Sequence, residues 1–132
     1  MQKAPFKMIF RKGTPPARHK YPGLGYRVSR ERGMIVERDV GVPMRDGVKI
    51  YIDVHRPPGR KRVPALIAWS PYGKHRPFQY GYFYKEGGVR KEWYSSYTNF
   101  EGPDPLYWVA RGYAVIHVDL RGVWGSEGNA TY

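Results

Sequence analysis

Cysteine is absent from the 132 residues, and that one absence removes disulfide frameworks, Cys-containing zinc sites and thiol nucleophiles. Acidic side chains are scarce, with 11 Asp and Glu against 23 Lys and Arg and a net charge of +12. Long apolar runs are missing too. None, that from Ala65 to Trp69 included, approaches the ~20 residues of a membrane span, and Met8-Ile9-Phe10 falls short of the roughly 7–15 residues that form the core of a secretory signal. No internal repeat is present. These absences fit a soluble chain in a reducing cytoplasm. What is present in quantity is apolar: 41% hydrophobic and 16% aromatic residues are too much for a disordered chain, while 12 Pro and 16 Gly predict long irregular stretches.

The positive charge is unevenly spread. Residues 1–32 hold nine Lys or Arg and one Glu, a net +8, whereas residues 33–132 hold fourteen and ten, a net +4. Pro5, Pro15, Pro16 and Pro22 break any amphipathic helix in the first segment. Residues 1–33 therefore read as a basic, extended, solvated arm, able to bind polyanions nonspecifically at low salt. Patterned sequence begins at residue 34, and residues 34–132 read as part of a folded domain.

From Val48 to Val54 the apolar residues Val48, Ile50, Ile52 and Val54 alternate with Lys49, Tyr51 and Asp53, the period of a strand with one buried face. Met34 to Val42 is a second strand candidate, and Arg45-Asp46-Gly47 between the two supplies hairpin-turn chemistry. Val63 to Trp69 is apolar without alternation, as in a strand buried on both faces. Tyr113 to Leu120 is another strand, preceded by a short helix with Asp104 as cap, Pro105 in its first turn, Leu106 to Arg111 as its body and Gly112 as its end. Antiparallel lead strands followed by a strand, crossover and parallel strand predict a mixed α/β sheet. One short helix does not cover two faces of such a sheet, so the fold reads as incomplete, with a partner chain as one way of covering it. Roughly thirty residues between Ser70 and Gly102 lack periodicity and leave the carboxyl end of a strand, where α/β sheets place ligands.

The catalytic inventory is thin. None of Ser29, Ser70, Ser95, Ser96 and Ser126 stands in the G-x-S-x-G elbow that presents a nucleophile; Trp124-Gly125-Ser126-Glu127-Gly128 has Trp for the first glycine and reads as a turn. His117 lies in a strand and reads as packed or hydrogen-bonded. His55, on the polar face of its strand, and His19, in the arm, read as solvated. His75 is the one histidine in the long loop, with no nucleophile to activate. No His, Asp and Glu cluster has metal-ligand spacing, and no cofactor is expected. At the loop's opening, Trp69-Ser70-Pro71-Tyr72-Gly73-Lys74 sets a turn and a phenol at the sheet's carboxyl edge. An O–H donor at that edge can meet a developing oxyanion, but the residues alone favour a tyrosine that packs its ring under the loop and satisfies its own hydroxyl.

In order along the chain, Val42-Pro43-Met44-Arg45-Asp46-Gly47-Val48-Lys49-Ile50, Arg56-Pro57, Val63-Pro64-Ala65 through Ser70-Pro71-Tyr72-Gly73-Lys74, and Arg111-Gly112-Tyr113-Ala114-Val115 through Asp119-Leu120-Arg121-Gly122-Val123-Trp124-Gly125-Ser126-Glu127-Gly128 resemble one family. It is the X-Pro dipeptidyl-peptidase-like, cocaine-esterase-type acyl hydrolases, and the likeness covers about residues 34–128. The resemblance implies the N-terminal part of an α/β-hydrolase fold. It implies an oxyanion-hole role for Tyr72, a structural anchoring role for Asp119 and Arg121, and substrate choice in the variable region 75–100. The nucleophile, acid and histidine of the family would lie beyond Tyr132. The expectation is an N-terminal fragment of a serine acyl hydrolase, with a small-molecule ester or peptide as substrate of the full-length protein, and inactive alone. The alternative is a small basic nucleic-acid-binding module. It rests on the charge and on the aromatics Tyr80, Tyr82, Phe83, Tyr84, Trp93, Tyr94 and Tyr97, although Lys85, Arg90 and Lys91 are offset there by Glu86 and Glu92.

Overall fold

A computed structural model describes residues 25–59, 61–74 and 86–130. Among these residues, five strands form one sheet: β1 (Arg27–Glu31), β2 (Met34–Pro43), β3 (Lys49–Arg56), β4 (Ala65–Ala68) and β5 (Ala114–Val118), in the order β1-β2-β3-β5-β4. The first three pair antiparallel, β3 pairs antiparallel with β5, and β5 pairs parallel with β4. This is the mixed sheet that the pattern predicts. The β2–β3 connection is the expected turn: Gly47 N–H donates to Met44 C=O at 2.9 Å, and Gly47 takes a φ of 82° that residues with a side chain rarely adopt.

The arm reading reaches too far along the chain. Residues 1–24 lie outside the described residues, but Arg27–Glu31 form β1. Arg32 and Gly33, both with positive φ, join β1 to β2 in a two-residue turn. Positive φ at both central positions matches the twist of antiparallel strands. A cross-strand ion pair closes the hairpin: Arg38 donates to both carboxylate oxygens of Glu31 at 2.6 and 3.0 Å.

Among the described residues, the crossover from β4 to β5 contains a 3₁₀ turn, Lys91–Trp93, and a short helix, α1 (Pro105–Val109). Asp104 caps α1 as expected, accepting from Tyr107 N–H at 3.2 Å, with Pro105 in the first turn. The same carboxylate accepts from Ser95 Oγ at 3.0 Å and Thr98 Oγ1 at 2.7 Å, so it also closes the loop before the helix. Burial pushes the Asp104 carboxyl up, but the donors from Thr98, Ser95 and Tyr107 outweigh it and hold the group below its ordinary value. The helix ends at Val109, two residues short of the expected body, and Gly112 follows with a φ of 86°.

Two burial expectations are corrected. β4 is not buried on both faces. It stands at the sheet edge with β5 as its one paired strand, and Ile67 and Trp69 are 58% and 59% exposed. Nothing among the described residues covers that side. Conversely, the supposedly polar face of β3 is buried: Asp53 and His55 are each 4% exposed. His55 is therefore not solvated. Its ring lies against His117 and Tyr97, with centroids 5.3 and 5.8 Å away. The residue types alternate as read, but the loop before α1 folds over the polar side.

The apolar core gathers Met34, Val36 and Val109, with Tyr97 and Leu106 packed against it. Met34 is 2% exposed, so truncation removes buried contacts and leaves a cavity. Met34→Ala is expected to lower unfolding free energy by about 2–5 kcal/mol, read as a lower urea midpoint at unchanged slope.

Candidate functional site

The turn at the carboxyl end of β4 carries Tyr72, and each residue flanking it is tied to another part of the fold. Trp124 Nε1 donates to Pro71 C=O at 2.8 Å, Asn99 Nδ2 donates to Gly73 C=O at 3.1 Å, and Lys74 N–H donates to Asp119 Oδ1 at 2.9 Å. Gly73 has a φ of 78°, and a Cβ there would come within 2.6 Å of the Trp124 indole. Glycine is thus needed twice, for its conformation and for the close approach of the ring. Tyr72 is 37% exposed, and its ring meets Phe100 edge-on, centroids 4.6 Å apart. The turn's backbone is fixed and its phenol is accessible.

Beneath the turn lies a charge cluster that sequence reading missed. The Lys74 ammonium is fully buried, paired with the carboxylate of Asp39 and, at 3.0 Å, with that of Asp53. Asp53 Oδ1 also accepts from Asp39 N–H at 2.9 Å, and Asp39 accepts from Arg27 at 3.3 Å. A β-bulge makes this possible. The register runs from Glu37 opposite Val54 directly to Val40 opposite Ile52, so Arg38 and Asp39 together oppose Asp53. Asp39, with a φ of 54°, turns its carboxylate inward. The one available hint is that Asp39 interrupts an otherwise patterned strand. Beside the cluster a cavity of about 170 Å³ is lined by Asp53, His55, Lys74, Tyr97 and Asn99 among others.

On the other side of the site the turn after β5 is equally tied down. Asp119 is 0% exposed, and its second carboxylate oxygen accepts from Gly125 N–H at 3.3 Å. Arg121 makes two bonds to Asp46, at 2.7 and 3.1 Å, joining that turn to the β2–β3 turn. Both residues anchor loops, the structural role that the resemblance implies. Ser126 Oγ donates to the Asp119 carbonyl at 2.6 Å and accepts from Tyr51 N–H at 2.8 Å, so its hydroxyl closes a turn. Among the described residues no serine hydroxyl bonds a histidine ring. His117 is 1% exposed, with Nε2 3.3 Å from Pro103 C=O, a packed and hydrogen-bonded strand histidine as expected. Neither it nor His55 comes to the Tyr72 turn through any bond. His19, His75, Tyr80, Tyr82, Phe83 and Tyr84 lie outside the described residues.

No group of three or more His, Asp or Glu among the described residues is placed to hold a metal ion, and no helix there is long and apolar enough to cross a membrane. Among the described cations, Arg27, Arg38, Arg56, Lys74 and Arg121 are in ion pairs with carboxylates.

Two outcomes follow from the buried charges. Lys74→Met is expected to cost about 3–5 kcal/mol in unfolding free energy, because it leaves two carboxylates buried with too few partners; chemical denaturation measures it. Burial, reinforced by the neighbouring His117, lowers the His55 pKa from 6.5 to about 4. The neutral ring is favoured in the fold, so about 3 kcal/mol of stability is present above pH ~6.5 and is lost as pH falls towards ~4. Urea midpoints at about pH 7 and pH 5 should differ accordingly, and His55→Phe should flatten the difference.

The sequence profile of the X-Pro dipeptidyl-peptidase (S15 family) matches residues 46–132. Cocaine esterase of Rhodococcus sp. (strain MB1 Bresler) is 37% identical over 93 residues, 70% of this chain and 13% of the esterase. A crystal structure of a CocE/NonD family hydrolase from Staphylococcus aureus superposes with a TM-score of 0.61 at 33% identity, covering 85% of this chain and 21% of that one. A second crystal structure from the same source gives 0.60 and 33%, covering 83% and 20%. The chain thus spans about an eighth to a fifth of the length of these relatives. With two thirds of its residues matched by the profile and its mixed sheet shared with hydrolases of known structure, the chain belongs to the X-Pro dipeptidyl-peptidase S15 family and forms an N-terminal portion of its α/β-hydrolase fold.

Proposed function

We propose that this segment supplies the oxyanion-binding Tyr72 of a serine acyl hydrolase that cleaves an ester or an X-Pro-type amide, and that residues 1–132 alone are inactive. The observation that carries the reading is the presentation of Tyr72: an accessible phenol on a turn whose neighbours on both sides are hydrogen-bonded to other elements. An oxyanion donor needs that combination. Its O–H must face the substrate, and its position must be fixed before charge develops on the carbonyl oxygen, so that no reorganisation is needed in the transition state.

In such a reaction a serine hydroxyl attacks the carbonyl carbon while a histidine takes its proton. The C=O π bond opens to a tetrahedral oxyanion, which the Tyr72 O–H and a backbone N–H stabilise. The leaving alcohol or amine departs with the proton that histidine returns, and water releases the acyl group by the same steps. The inactivity of the segment follows from its serines and histidines. Ser126 has its hydroxyl committed to the Asp119 carbonyl and to Tyr51 N–H, and His55 and His117 are buried without a hydrogen bond to it. The family relationship and the small share of the relatives' length support the same view.

In a longer hydrolase carrying this segment, Tyr72→Phe is expected to reduce kcat by about 10²–10³ while KM changes little, measured by steady-state hydrolysis of a p-nitrophenyl ester. Undiminished kcat would overturn the donor role. Purified 1–132 should show no steady turnover of the same ester, and turnover would overturn its inactivity.

A further inference from the structure

Two turns meet at Tyr72, and they are joined twice. Before Tyr72, Pro71 C=O accepts the Trp124 indole N–H at 2.8 Å; after it, Lys74 N–H donates to Asp119 Oδ1 at 2.9 Å. The other oxygen of that carboxylate accepts Gly125 N–H, so one fully buried group belongs to both turns at once. Trp124 is held at a φ of 54°, in the left-handed region, which carries its indole across Gly73. The far side of the second turn is bound to β3 and its preceding turn. Tyr51 N–H donates to Ser126 Oγ, Glu127 N–H donates to Lys49 C=O at 2.9 Å, and Arg121 grips Asp46.

We infer that Asp119 and Trp124 are positioning residues that form a two-point latch, setting where the Tyr72 hydroxyl sits relative to the sheet. The inference rests on the oxyanion reading of Tyr72 and deepens it. Tyr72 is more than a third exposed and its ring meets Phe100 by an edge, so packing is not its sole restraint. Its place is inherited from the backbone of residues 71–74, which the latch grips on both sides of the phenol. A carboxylate suits this task better than a neutral acceptor. It accepts at both ends, from one N–H of each turn, with charge-assisted bonds in a buried setting. Asparagine in its place would turn one acceptor into a donor and confront an N–H with an NH₂.

The latch is tested on the 132-residue chain itself, without reference to turnover, by ¹⁹F NMR with 3-fluorotyrosine placed at position 72 and, in a second sample, at position 107 on α1. Asp119→Asn is expected to displace and broaden the Tyr72 resonance while leaving Tyr107 in place, and to speed amide exchange at Lys74 and Gly125 roughly tenfold. Trp124→Phe keeps a ring over Gly73 but loses the N–H, and is expected to displace the Tyr72 resonance as well. Should Asp119→Asn fail to fold, Trp124→Phe decides by the same comparison. A Tyr72 resonance that stays put in the folded variants, or one that moves together with Tyr107, would sink the latch and leave Asp119 and Trp124 as general stabilisers. Failure of the oxyanion reading is seen separately, as an undiminished rate for Tyr72→Phe in a longer hydrolase.

Discussion

The described fold depends on the accommodation of one buried cation. Lys74 brings an ammonium ion to a place where it is fully removed from water, and the desolvation of such an ion is worth several kcal/mol against folding unless opposite charge surrounds it. Asp39 and Asp53 supply that charge from two neighbouring strands, and Arg27 pairs with Asp39 from a third. Four side chains from β1, β2, β3 and the turn after β4 therefore have to arrive together. The bulge in β2 is the geometric consequence: without the extra residue, Asp39 would not turn inward beside Asp53. Because the cluster lies directly under the turn that presents Tyr72, the energetic requirement of the ion also fixes the position of the phenol.

A second organising constraint is the traffic through Asp119. Its backbone N–H pairs with Tyr51 C=O at 3.0 Å, its carbonyl accepts from Ser126, and its carboxylate serves Lys74 and Gly125. A buried carboxylate with this many donors is satisfied rather than strained. It makes the carboxyl ends of β4 and β5 one unit. That is also the edge at which α/β sheets place their ligands, and the parallel pairing of β4 with β5 brings the two strand ends side by side there.

The opposite behaviour marks β4. Its apolar sequence, V-P-A-L-I-A-W, is that of a strand covered on both faces, yet Ile67 and Trp69 are more than half exposed among the described residues. Composition encodes the burial that a strand would have with neighbours on every side, while exposure records the neighbours present. The mismatch at β4 and its absence at β5, where Val115 is 0% exposed, show that the sheet's interior lies at β5 and β3 rather than at β4.

Much of the fold was legible in the residues. Alternation in β3, the Asp46-Gly47 turn, the Asp104 cap and Pro105, and the parallel strand near Tyr113 are local or periodic features, and they depend on backbone geometry that a few neighbouring residues decide. The resemblance placed Tyr72, Asp119 and Arg121 in a common motif order. What sequence did not disclose lies at long range. Strand β1 is rich in polar and charged residues whose partner is defined across the hairpin, where Arg38 donates to both Glu31 and Ser29. His55 and Asp53 have the spacing of a polar face, and only the loop that folds over that face makes it interior. The Lys74 cluster joins residues 35 and 21 positions apart, separations at which no periodicity operates. The sequence by itself determined which segments are strands, helix and turns, and the family to which they belong. Only the tertiary structure decided which polar side chains are buried and which turns are clamped together, because desolvation and charge pairing act between atoms that are neighbours in space and strangers along the chain.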